Sequence, residues 1–414
     1  MTQPKGAVDI GRWAARLAAS PTNLGHFWEL GRALQSAKRV VEATAAFDSL
    51  GRSASAIGHP ALGLACARAL AELGSDKEAA ALVAHVAKEH GRGGKKIEVG
   101  RRSAPPAPPI GEISMGGAVV DAPTDLEAAL ELAGRAGRAA ASSAESRTPA
   151  RLAPTVLISV LTPAEIAEVT TVMELRNVKK GEVIVDVGHA ATSLFWIARG
   201  SVEVSRGDKF LGELVPNQFF GEIALVGGTT RTARVTAAMD GVLLVIPADR
   251  VETVAAKQPG LGKVLAEYAR ARLLATVMRT SELFSRMEQS ERQALLPLFE
   301  TRIFEAGETL VENGSHNDCL YVVASGRCEV RDGDAVITSL DVGDGIGEVS
   351  LLARRPATFD VVATTPTVVL SLSREQFDQV AVNHPGLLAE VYKLLVQREA
   401  ENQALVHDAA DLIV

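Results

Sequence analysis

A repeat with a fixed offset constrains the fold of this chain more than any other feature of its sequence. Gly181 and Gly307 lie 126 residues apart, and the same offset relates matching residues from about residue 155 to the C-terminal end without a gap. Further matching pairs are Gly188/Gly314, Gly200/Gly326, Glu222/Glu348, Pro259/Pro385, Leu194/Leu320, Phe195/Tyr321, Leu214/Leu340, Leu225/Leu351, Val235/Val361 and Leu244/Leu370. Such self-similarity indicates two copies of one domain. We predict one domain over residues 155–280 and a second over residues 281–414.

Each copy has the pattern of an antiparallel β domain with flanking helices. A helical stretch opens each copy, over residues 163–173 and 289–299, and short β-branched runs separated by glycine follow. Runs of this length and spacing predict a jelly roll. Helices over residues 248–257 and 261–279 close the first copy. The predicted fold class is therefore α+β, with two tandem jelly rolls preceded by an all-α domain.

Residues 1–90 have a helical pattern. Apolar residues recur at three- and four-residue spacings, with turn signals such as Gly58-His59-Pro60 between the helices. Large and small residues stand at repeat-like positions: Phe27, Leu30, Gly31, Leu34, Ala43 and Phe47, with Ala79 and Val83 repeating the last two 36 residues on. This pattern resembles tetratricopeptide repeats. The resemblance implies a concave surface that binds a partner peptide, and the alternative is a helical cap that only packs.

Residues 91–154 form a linker by composition. Glycine, proline, serine and arginine dominate this segment, which includes the run Ala104-Pro105-Pro106-Ala107-Pro108-Pro109. Within it, Asp125 to Ala141 has few helix breakers and a mild amphipathic pattern, so we predict a short helix there. It has too few large apolar residues to be stable alone.

At roughly 150 residues per domain, 414 residues predict about three folded domains, and a hydrophobic content of 47% gives each enough material for a core. Forty-three Lys and Arg residues against 50 Asp and Glu residues give a net charge of -7, so we expect no nucleic-acid partner. We find no apolar run suited to a signal peptide or a membrane span. The three cysteines, Cys66, Cys319 and Cys328, have no CxxC spacing and are predicted to be small buried residues in a reducing compartment. The expected location is cytoplasmic.

One segment of the first copy joins a Gly-Glu pair to a nearby arginine. Residues 220–233 have the sequence Phe-Gly-Glu-Ile-Ala-Leu-Val-Gly-Gly-Thr-Thr-Arg-Thr-Ala. This segment resembles the phosphate-binding cassette of cyclic nucleotide-binding domains, the family of the catabolite activator protein and of kinase A regulatory subunits. The family pattern is Phe-Gly-Glu-x-Ala-Leu, a short spacer, and Arg-(Ala/Thr/Ser)-Ala.

The resemblance implies roles that suit the chemistry of a cyclic nucleotide, which carries one phosphodiester charge and one free ribose 2′-hydroxyl. Glu222 would accept the hydroxyl, and Arg231 would pair with an exocyclic phosphate oxygen. Gly221 would let the ligand approach the backbone at the start of a one-turn helix. The alternative is a simple ion pair of Glu222 and Arg231 across a loop. The predicted ligand-binding residues are Phe220, Gly221, Glu222, Ile223, Ala224, Arg231, Thr232 and Ala233.

The second copy lacks one of these groups. The offset places Gly347 and Glu348 on the Gly-Glu pair but Ala357 on the arginine. Arg354 and Arg355 precede it and could replace the arginine only if the backbone shifted. Losing one charged hydrogen bond to phosphate costs about 1.5 to 3 kcal/mol. We therefore predict a degenerate second site.

The first copy also departs from the family pattern in its loops. His189 and Thr192 stand where family members often carry aspartate, and Thr230 replaces a frequent proline before the arginine. Thr232 resembles residues found in cyclic GMP-dependent kinases, but bacterial cyclic AMP sites also use Ser or Thr there. The choice between cAMP and cGMP stays open.

The chain lacks the catalytic motifs GxSxG and HExxH, and its eight histidines are scattered, so we expect no enzyme, no metal and no cofactor besides the nucleotide ligand. The predicted function is a sensor or adaptor. Its first copy binds a cyclic mononucleotide, and its helical domain engages a protein partner. Ligand binding would move the helix over residues 261–279, with Tyr268, Leu273 and Leu274 as candidates for a lid over the base.

Two other functions stay open. One is a scaffold in which neither jelly roll binds a nucleotide. The other is a kinase-inhibitory subunit, since Arg101-Arg102-Ser103-Ala104 resembles the inhibitor segment of kinase regulatory subunits, although Pro105 disfavours extended docking. The oligomeric state is also open, with a homo-oligomer among the options.

Overall fold

The structure is a computed structural model that describes most of the chain. The described residues are 5–93, 121–149, 152, 155, 157–226, 230–257, 259–284, 287–288, 292, 295–348, 351–352, 354–383, 386, 388–393 and 396–397. The segment Arg101-Arg102-Ser103-Ala104 and the proline run after it lie outside these residues. In the part of the chain that is described, no helix combines the length and the apolar character that crossing a bilayer demands.

The chain divides into two compact units. The first contains Met1–Asp186, Thr192–Glu222 and Ala233–Leu265, and the second contains Val187–Ala191, Ile223–Thr232 and Ala266–Val414. The first unit thus holds the N-terminal helices and most of the first repeat. The second holds the second repeat together with three segments of the first, namely Val187–Ala191, Ile223–Thr232 and residues 266–280.

In the described residues, the N-terminal part of the first unit contains six helices. They are α1 (Lys5–Ala19), α2 (Leu24–Ser36), α3 (Val40–Ala56), α4 (Pro60–Glu72), α5 (Asp76–His90) and α6 (Leu126–Ser146). Local sequence signals set their starts, because Asn23 and Asp125 accept hydrogen bonds from the first-turn amides of α2 and α6, and Pro60 opens α4. The helical N-terminal domain is confirmed.

Helix α6 packs along α1 and also contacts α3. It extends five residues beyond the predicted end at Ala141. Its buried side chains are all alanines, Ala129, Ala133, Ala136, Ala140 and Ala144. Because alanine is small, this stripe allows close approach of the neighbouring helices, which explains how a helix with few large apolar residues is stabilised.

A glycine and a phenylalanine fix the contact between α2 and α3. Phe47 is fully buried and meets Trp28 edge-on, with ring centroids 5.2 Å apart. A Cβ added to Gly31 would lie 2.8 Å from Cε1 of Phe47. The large-over-small pairing expected from the tetratricopeptide-like spacing is therefore present between these two helices.

Each jelly roll consists of two four-stranded antiparallel sheets in the described residues. Helix α7 (Pro163–Val172) precedes the first, and a capping box formed by Thr162 and Glu165 starts that helix. The strands of the first jelly roll are β1 (Glu174–Val178), β2 (Val183–Val185), β3 (Ser193–Arg199), β4 (Val202–Arg206), β5 (Lys209–Leu214), β6 (Phe219–Phe220), β7 (Arg234–Ala237) and β8 (Gly241–Pro247). Their orders are β1-β8-β3-β6 and β2-β7-β4-β5. Phe195, Ile197 and Leu243 belong to its core cluster.

The second jelly roll repeats this topology. Its strands are β9 (Glu300–Phe304), β10 (Thr309–Val311), β11 (Cys319–Ser325), β12 (Cys328–Asp332), β13 (Ala335–Leu340), β14 (Gly345–Ile346), β15 (Asp360–Ala363) and β16 (Thr367–Ser373). The sheet orders β14-β11-β16-β9 and β10-β15-β12-β13 equal those of the first jelly roll when each strand number is raised by eight. The tandem jelly-roll prediction is confirmed.

Further helices join and follow the jelly rolls. Helices α8 (Glu222–Val226), α9 (Ala248–Lys257) and α10 (Pro259–Thr280) belong to the first repeat, and α11 (Arg374–Asn383) follows the second. Two 3-10 turns, Glu282–Phe284 and Leu296–Leu298, precede β9.

Helix α4 joins the N-terminal helices to the first jelly roll within the first unit. It contacts β1, β3 and β8 and is buried over almost its whole length. Arg199, at the end of β3, is only 4% exposed and donates a 2.8 Å hydrogen bond to Glu29 of α2. Burial lowers the pKa of Arg199, while Glu29 and Asp240 oppose this shift. The interface therefore contains a buried cation with an acidic partner.

We predict that Gly31→Ala destabilises the helical domain by up to about 2 kcal/mol. Alanine favours a helix over glycine by about 1 kcal/mol, but overpacking a rigid core costs about 1 to 3 kcal/mol, and the fully buried Phe47 ring cannot move away. Chemical denaturation of both variants measures the difference. The matched control is Gly137→Ala in α6, where the new Cβ would lie 3.5 Å from Phe27, an ordinary contact. Equal stability of the two variants would contradict the steric argument.

Candidate functional site

The cassette of the first repeat begins where β6 ends. Phe219 and Phe220 pair with Trp196 and Phe195 of β3, and the Phe195 and Phe220 rings stack with centroids 4.9 Å apart. Gly221 follows with a φ of 95°, a conformation that glycine adopts without strain. The chain then enters α8 at Glu222. The stacked phenylalanines thus fix the point at which the cassette leaves the sheet.

The eight predicted ligand-binding residues differ in burial. Phe220 belongs to the core of the jelly roll. Four residues are half-buried, namely Gly221, Ile223, Thr232 and Ala233. Ala224 is 3% exposed, Glu222 is 1% exposed and Arg231 is 4% exposed. Residues 227–229 of the spacer lie outside the described residues.

Glu222 and Arg231 are the two ionisable side chains of this set, and both are buried. A buried carboxylate or guanidinium loses its hydration, so each must be compensated by opposite charge or hydrogen bonds. Such groups are almost never fully buried unless they are paired. Their burial makes the cassette a candidate for binding a ligand that has both a hydroxyl group and an anionic group.

Main-chain hydrogen bonds hold the arginine position against a neighbouring loop. The amide of Arg231 donates to the carbonyl of His189 over 2.8 Å, and the amide of Gly188 donates to the carbonyl of Arg231 over 2.9 Å. His189 itself is exposed. The main chain of this loop therefore positions Arg231, through contacts that do not involve the side chain of His189.

The second repeat keeps these main-chain hydrogen bonds but has no charged side chain at the arginine position. The amide of Gly314 donates to the carbonyl of Ala357, and the amide of Ala357 donates to the carbonyl of Ser315, each over 2.8 Å. Ala357 packs against the core of the second jelly roll. Arg354 and Arg355 are exposed, unlike the buried Arg231.

The carboxylate of the second cassette is retained. Glu348 is 1% exposed and follows Gly347, whose φ is 91°. The loss in the second repeat is therefore specific to the arginine position. This arrangement supports the expectation of a degenerate second site, which stays a prediction.

The loop position occupied by Thr192 in the first repeat carries Asp318 in the second. The Asp318 carboxylate accepts a 2.8 Å hydrogen bond from Arg374, which also donates to the carbonyl of Leu351. In the first repeat the corresponding pair, Thr192 and Ala248, keeps only a main-chain hydrogen bond of 2.9 Å. The first repeat thus has the cassette arginine, and the second has this aspartate instead.

The lid candidates lie in α10. Leu273 and Leu274 are buried in the core cluster of the second unit, and the half-buried Ile223 packs against that same cluster. Tyr268 is half-buried and has the guanidinium of Arg272 5.8 Å from its ring centroid. Whether any of them covers a base stays a prediction.

The cysteines have no catalytic or metal-binding arrangement in the described residues. Cys66 and Cys328 are buried, whereas Cys319 is half-buried, so full burial holds for two of the three. Burial raises the pKa of Cys66 and raises that of Cys328 to about 11, which keeps both thiols protonated. A search of the described His, Cys, Asp and Glu residues finds no group of three suited to a metal ion.

Sequence reasoning missed the polar residues that join the helical domain to the first jelly roll. Asn217, four residues before Gly221, bonds to the α3–α4 turn, and Arg199 bonds to α2. The repeat offset gives a signal for both, because their counterparts are Gly343 and Ser325. Both residues thus differ from their counterparts in the second copy, and both contact the helical domain.

A family model connects this fold and cassette to a known class. The model of the cyclic nucleotide-binding domain matches residues 175–258 and again residues 301–384. The chain therefore carries two tandem cyclic nucleotide-binding domains, as its sequence predicted. Domains of this family bind cAMP or cGMP.

Curated relatives resemble parts of the chain. A cGMP-dependent protein kinase of Toxoplasma gondii is 29% identical over 255 residues, which are 61% of this chain and 24% of the kinase. A cAMP-dependent protein kinase regulatory subunit of Debaryomyces hansenii is 26% identical over 222 residues, which are 52% of this chain and 47% of the subunit. The chain thus spans less than half the length of these relatives.

Solved structures give further matches. The regulatory domain of Toxoplasma gondii PKA with cAMP is 20% identical, and the match covers 59% of this chain and 92% of that domain, with a TM-score of 0.29. The catabolite activator protein of Thermus thermophilus is 26% identical, and the match covers 31% of this chain and 63% of that protein, with a TM-score of 0.30.

We predict that Gly221→Ala loosens the cassette. A residue with a Cβ pays about 1 to 2 kcal/mol to hold the positive φ observed at Gly221. Amide hydrogen exchange of Glu222–Val226 should therefore be faster in the variant. The control is Gly260→Ala in α10, which has no positive φ and no atom within 4 Å of the added Cβ. Unchanged exchange in the Gly221 variant would show that the cassette does not depend on this conformation.

Proposed function

We propose that the first repeat binds a cyclic mononucleotide, cAMP or cGMP, and that the chain is a non-enzymatic sensor or adaptor. The observation that carries this proposal is the burial of Glu222 and Arg231 in the cassette of a cyclic nucleotide-binding domain. Glu222 accepts the ribose 2′-hydroxyl, and Arg231 binds an exocyclic phosphate oxygen. Gly221, Ile223, Ala224, Thr232 and Ala233 line the site, and Phe220 supports it from the core.

The second repeat has no comparable anion-binding group in our proposal. Ala357 occupies the backbone position of Arg231, and the neighbouring arginines are exposed. The missing charge-assisted hydrogen bond lowers affinity for a cyclic phosphate about 10- to 150-fold. The first repeat is therefore the sensor, and the second receives its signal.

The relay runs through the cassette and α10. Ile223 of the cassette packs against a cluster that contains Leu273 and Leu274, and this cluster also contains core residues of the second jelly roll such as Leu320 and Leu370. A movement of Ile223 on ligand binding would therefore disturb that cluster. The ligand shifts the equilibrium only by the difference in its affinity for the two states.

A protein partner and a cytoplasmic location complete the proposal. The relatives named as kinase regulatory subunits support a role in which a domain of this class controls another protein. The kinases among the relatives match only over their regulatory region, which supports a non-enzymatic chain.

The test of the first site is calorimetry with cAMP and cGMP on the full chain. We predict one site per chain, and Arg231→Ala weakens binding about 10- to 150-fold because the phosphate loses a charged hydrogen bond. Arg355→Ala, which removes an exposed arginine beside the second cassette, should bind as the unsubstituted protein does. The nucleotide that binds with the higher affinity identifies the preferred purine.

Two results would contradict the proposal. One is the absence of heat and of thermal stabilisation with both nucleotides at high concentration, which would favour the ligand-independent scaffold. The other is equal nucleotide affinity of the Arg231→Ala and Arg355→Ala variants, which would show that the phosphate does not bind at Arg231.

The second repeat offers a gain-of-function test. We predict that Ala357→Arg raises the stoichiometry from one nucleotide to two, because the backbone hydrogen bonds at this position match those at Arg231. Ala357→Leu adds bulk without charge and should keep a stoichiometry of one. If the arginine variant folds and still binds one nucleotide, the second repeat has lost its site for a reason other than the missing guanidinium.

A further inference from the structure

The loop before the cassette is held by the helical domain. Asn217 lies in this loop, and its side-chain amide donates to the carbonyl of Gly58 over 3.0 Å and lies 2.9 Å from Nδ1 of His59. Its side-chain oxygen accepts a hydrogen bond from the amide of Ala61 over 3.3 Å. One side chain therefore caps the whole α3–α4 turn. Asn217 is 3% exposed, so these bonds are shielded from water.

The backbone of Asn217 is bound to the jelly roll at the same time. Its amide donates to the carbonyl of Ile197 over 2.9 Å, and its carbonyl accepts from the indole of Trp196 over 3.0 Å. Trp196 also pairs with Phe219, the first residue of β6. Asn217 therefore connects the helical turn to the strand that leads into Glu222, five residues further along the chain.

The second repeat shows that the jelly roll itself does not need this side chain. Gly343 stands at the same offset, with a φ of 103° against 68° at Asn217. Its carbonyl accepts a 2.6 Å hydrogen bond from the hydroxyl of Ser281. Both residues adopt a left-handed turn, which asparagine tolerates better than most residues with a side chain. The amide group of Asn217 is thus an addition to a turn that glycine already satisfies.

A second contact with the helical domain also involves a residue of the first repeat that is replaced in the second. Arg199, which bonds to Glu29 of α2, has the serine Ser325 as its counterpart. Glu29 is 24% exposed and lines a cavity of about 540 Å³ with Trp13 and Lys179. The edge of the interface at Glu29 is therefore polar and partly open, unlike the tightly packed contact of α4.

We propose that docking of the helical domain and nucleotide binding in the first repeat are thermodynamically linked, with Asn217 as the positioning residue that links them. This inference rests on the proposed function. The docked α3–α4 turn holds the loop of Asn217 in the conformation from which β6 and Glu222 continue. The ligand therefore has to order less of this loop when it binds. Because linkage is reciprocal, bound nucleotide strengthens docking by the same factor. The helical domain is then an internal partner of the sensor, and any outside partner that needs the surface of α4 competes with the nucleotide.

The experiment compares Asn217→Gly with the unsubstituted chain. Glycine keeps the left-handed turn, as Gly343 does, and removes only the amide group. We expect cyclic nucleotide binding by calorimetry to weaken about fivefold or more. In the unsubstituted chain, nucleotide should slow amide hydrogen exchange in Gly58–Ala61 and in α4, and this protection should be lost in the variant. Asn313→Gly, an exposed asparagine of the second repeat, is the matched control and should change neither measurement.

A second variant separates linkage from a local effect on the loop. Glu29→Gln weakens the other docking contact, the one with Arg199, which lies far from the cassette along the chain. Linkage therefore predicts that this variant also binds the cyclic nucleotide more weakly. If Asn217 only shaped its own loop, Glu29→Gln would leave affinity unchanged and nucleotide would not protect α4, which would overturn the inference. Normal nucleotide binding by both variants overturns the linkage but leaves the proposed function intact. Absence of binding by the unsubstituted chain overturns both.

Discussion

The left-handed turns between strands are the constraint on which both jelly rolls depend. Among the described residues, six positions with positive φ recur at the 126-residue offset, at 181/307, 188/314, 200/326, 207/333, 217/343 and 221/347. Eleven of these twelve residues are glycine, because a Cβ is strained in this conformation. These turns lie between successive strands and at the start of each cassette. The two repeats therefore share their backbone conformation more fully than they share their functional side chains.

Side chains on this shared backbone give the two repeats different roles. The first carries Arg231 in its cassette, and the second carries Ala357 on equivalent main-chain hydrogen bonds. The first carries Asn217 and Arg199 facing the helical domain, where the second has Gly343 and Ser325. The residues for anion binding and those for helical docking therefore occur in the same repeat. This coincidence is what makes regulation of the first site by the helical domain physically reasonable.

The helical domain shows how small residues build a stable interface. Alanines along α6 and Gly31 of α2 allow close contact between helices, and α4 is almost wholly buried because it contacts helices on one side and strands on the other. A tetratricopeptide-like pattern implies an open concave surface. In this chain the surface of α4 is covered by the first jelly roll, so partner binding through that helix competes with an internal contact.

The sequence alone determined the repeat, the jelly-roll class and the helical start of the chain, and it predicted Glu222 and Arg231 as ligand-binding residues. These follow from glycine positions, hydrophobic periodicity and a short contiguous motif, all of which are local signals. The contacts of Asn217 with the α3–α4 turn and of Arg199 with Glu29 join residues more than 150 positions apart. The length of α6 also depended on contacts, because this helix packs against α1, α2 and α3. Tertiary structure decided these features, since pairing between distant segments depends on how whole elements pack and leaves no periodic trace in either segment.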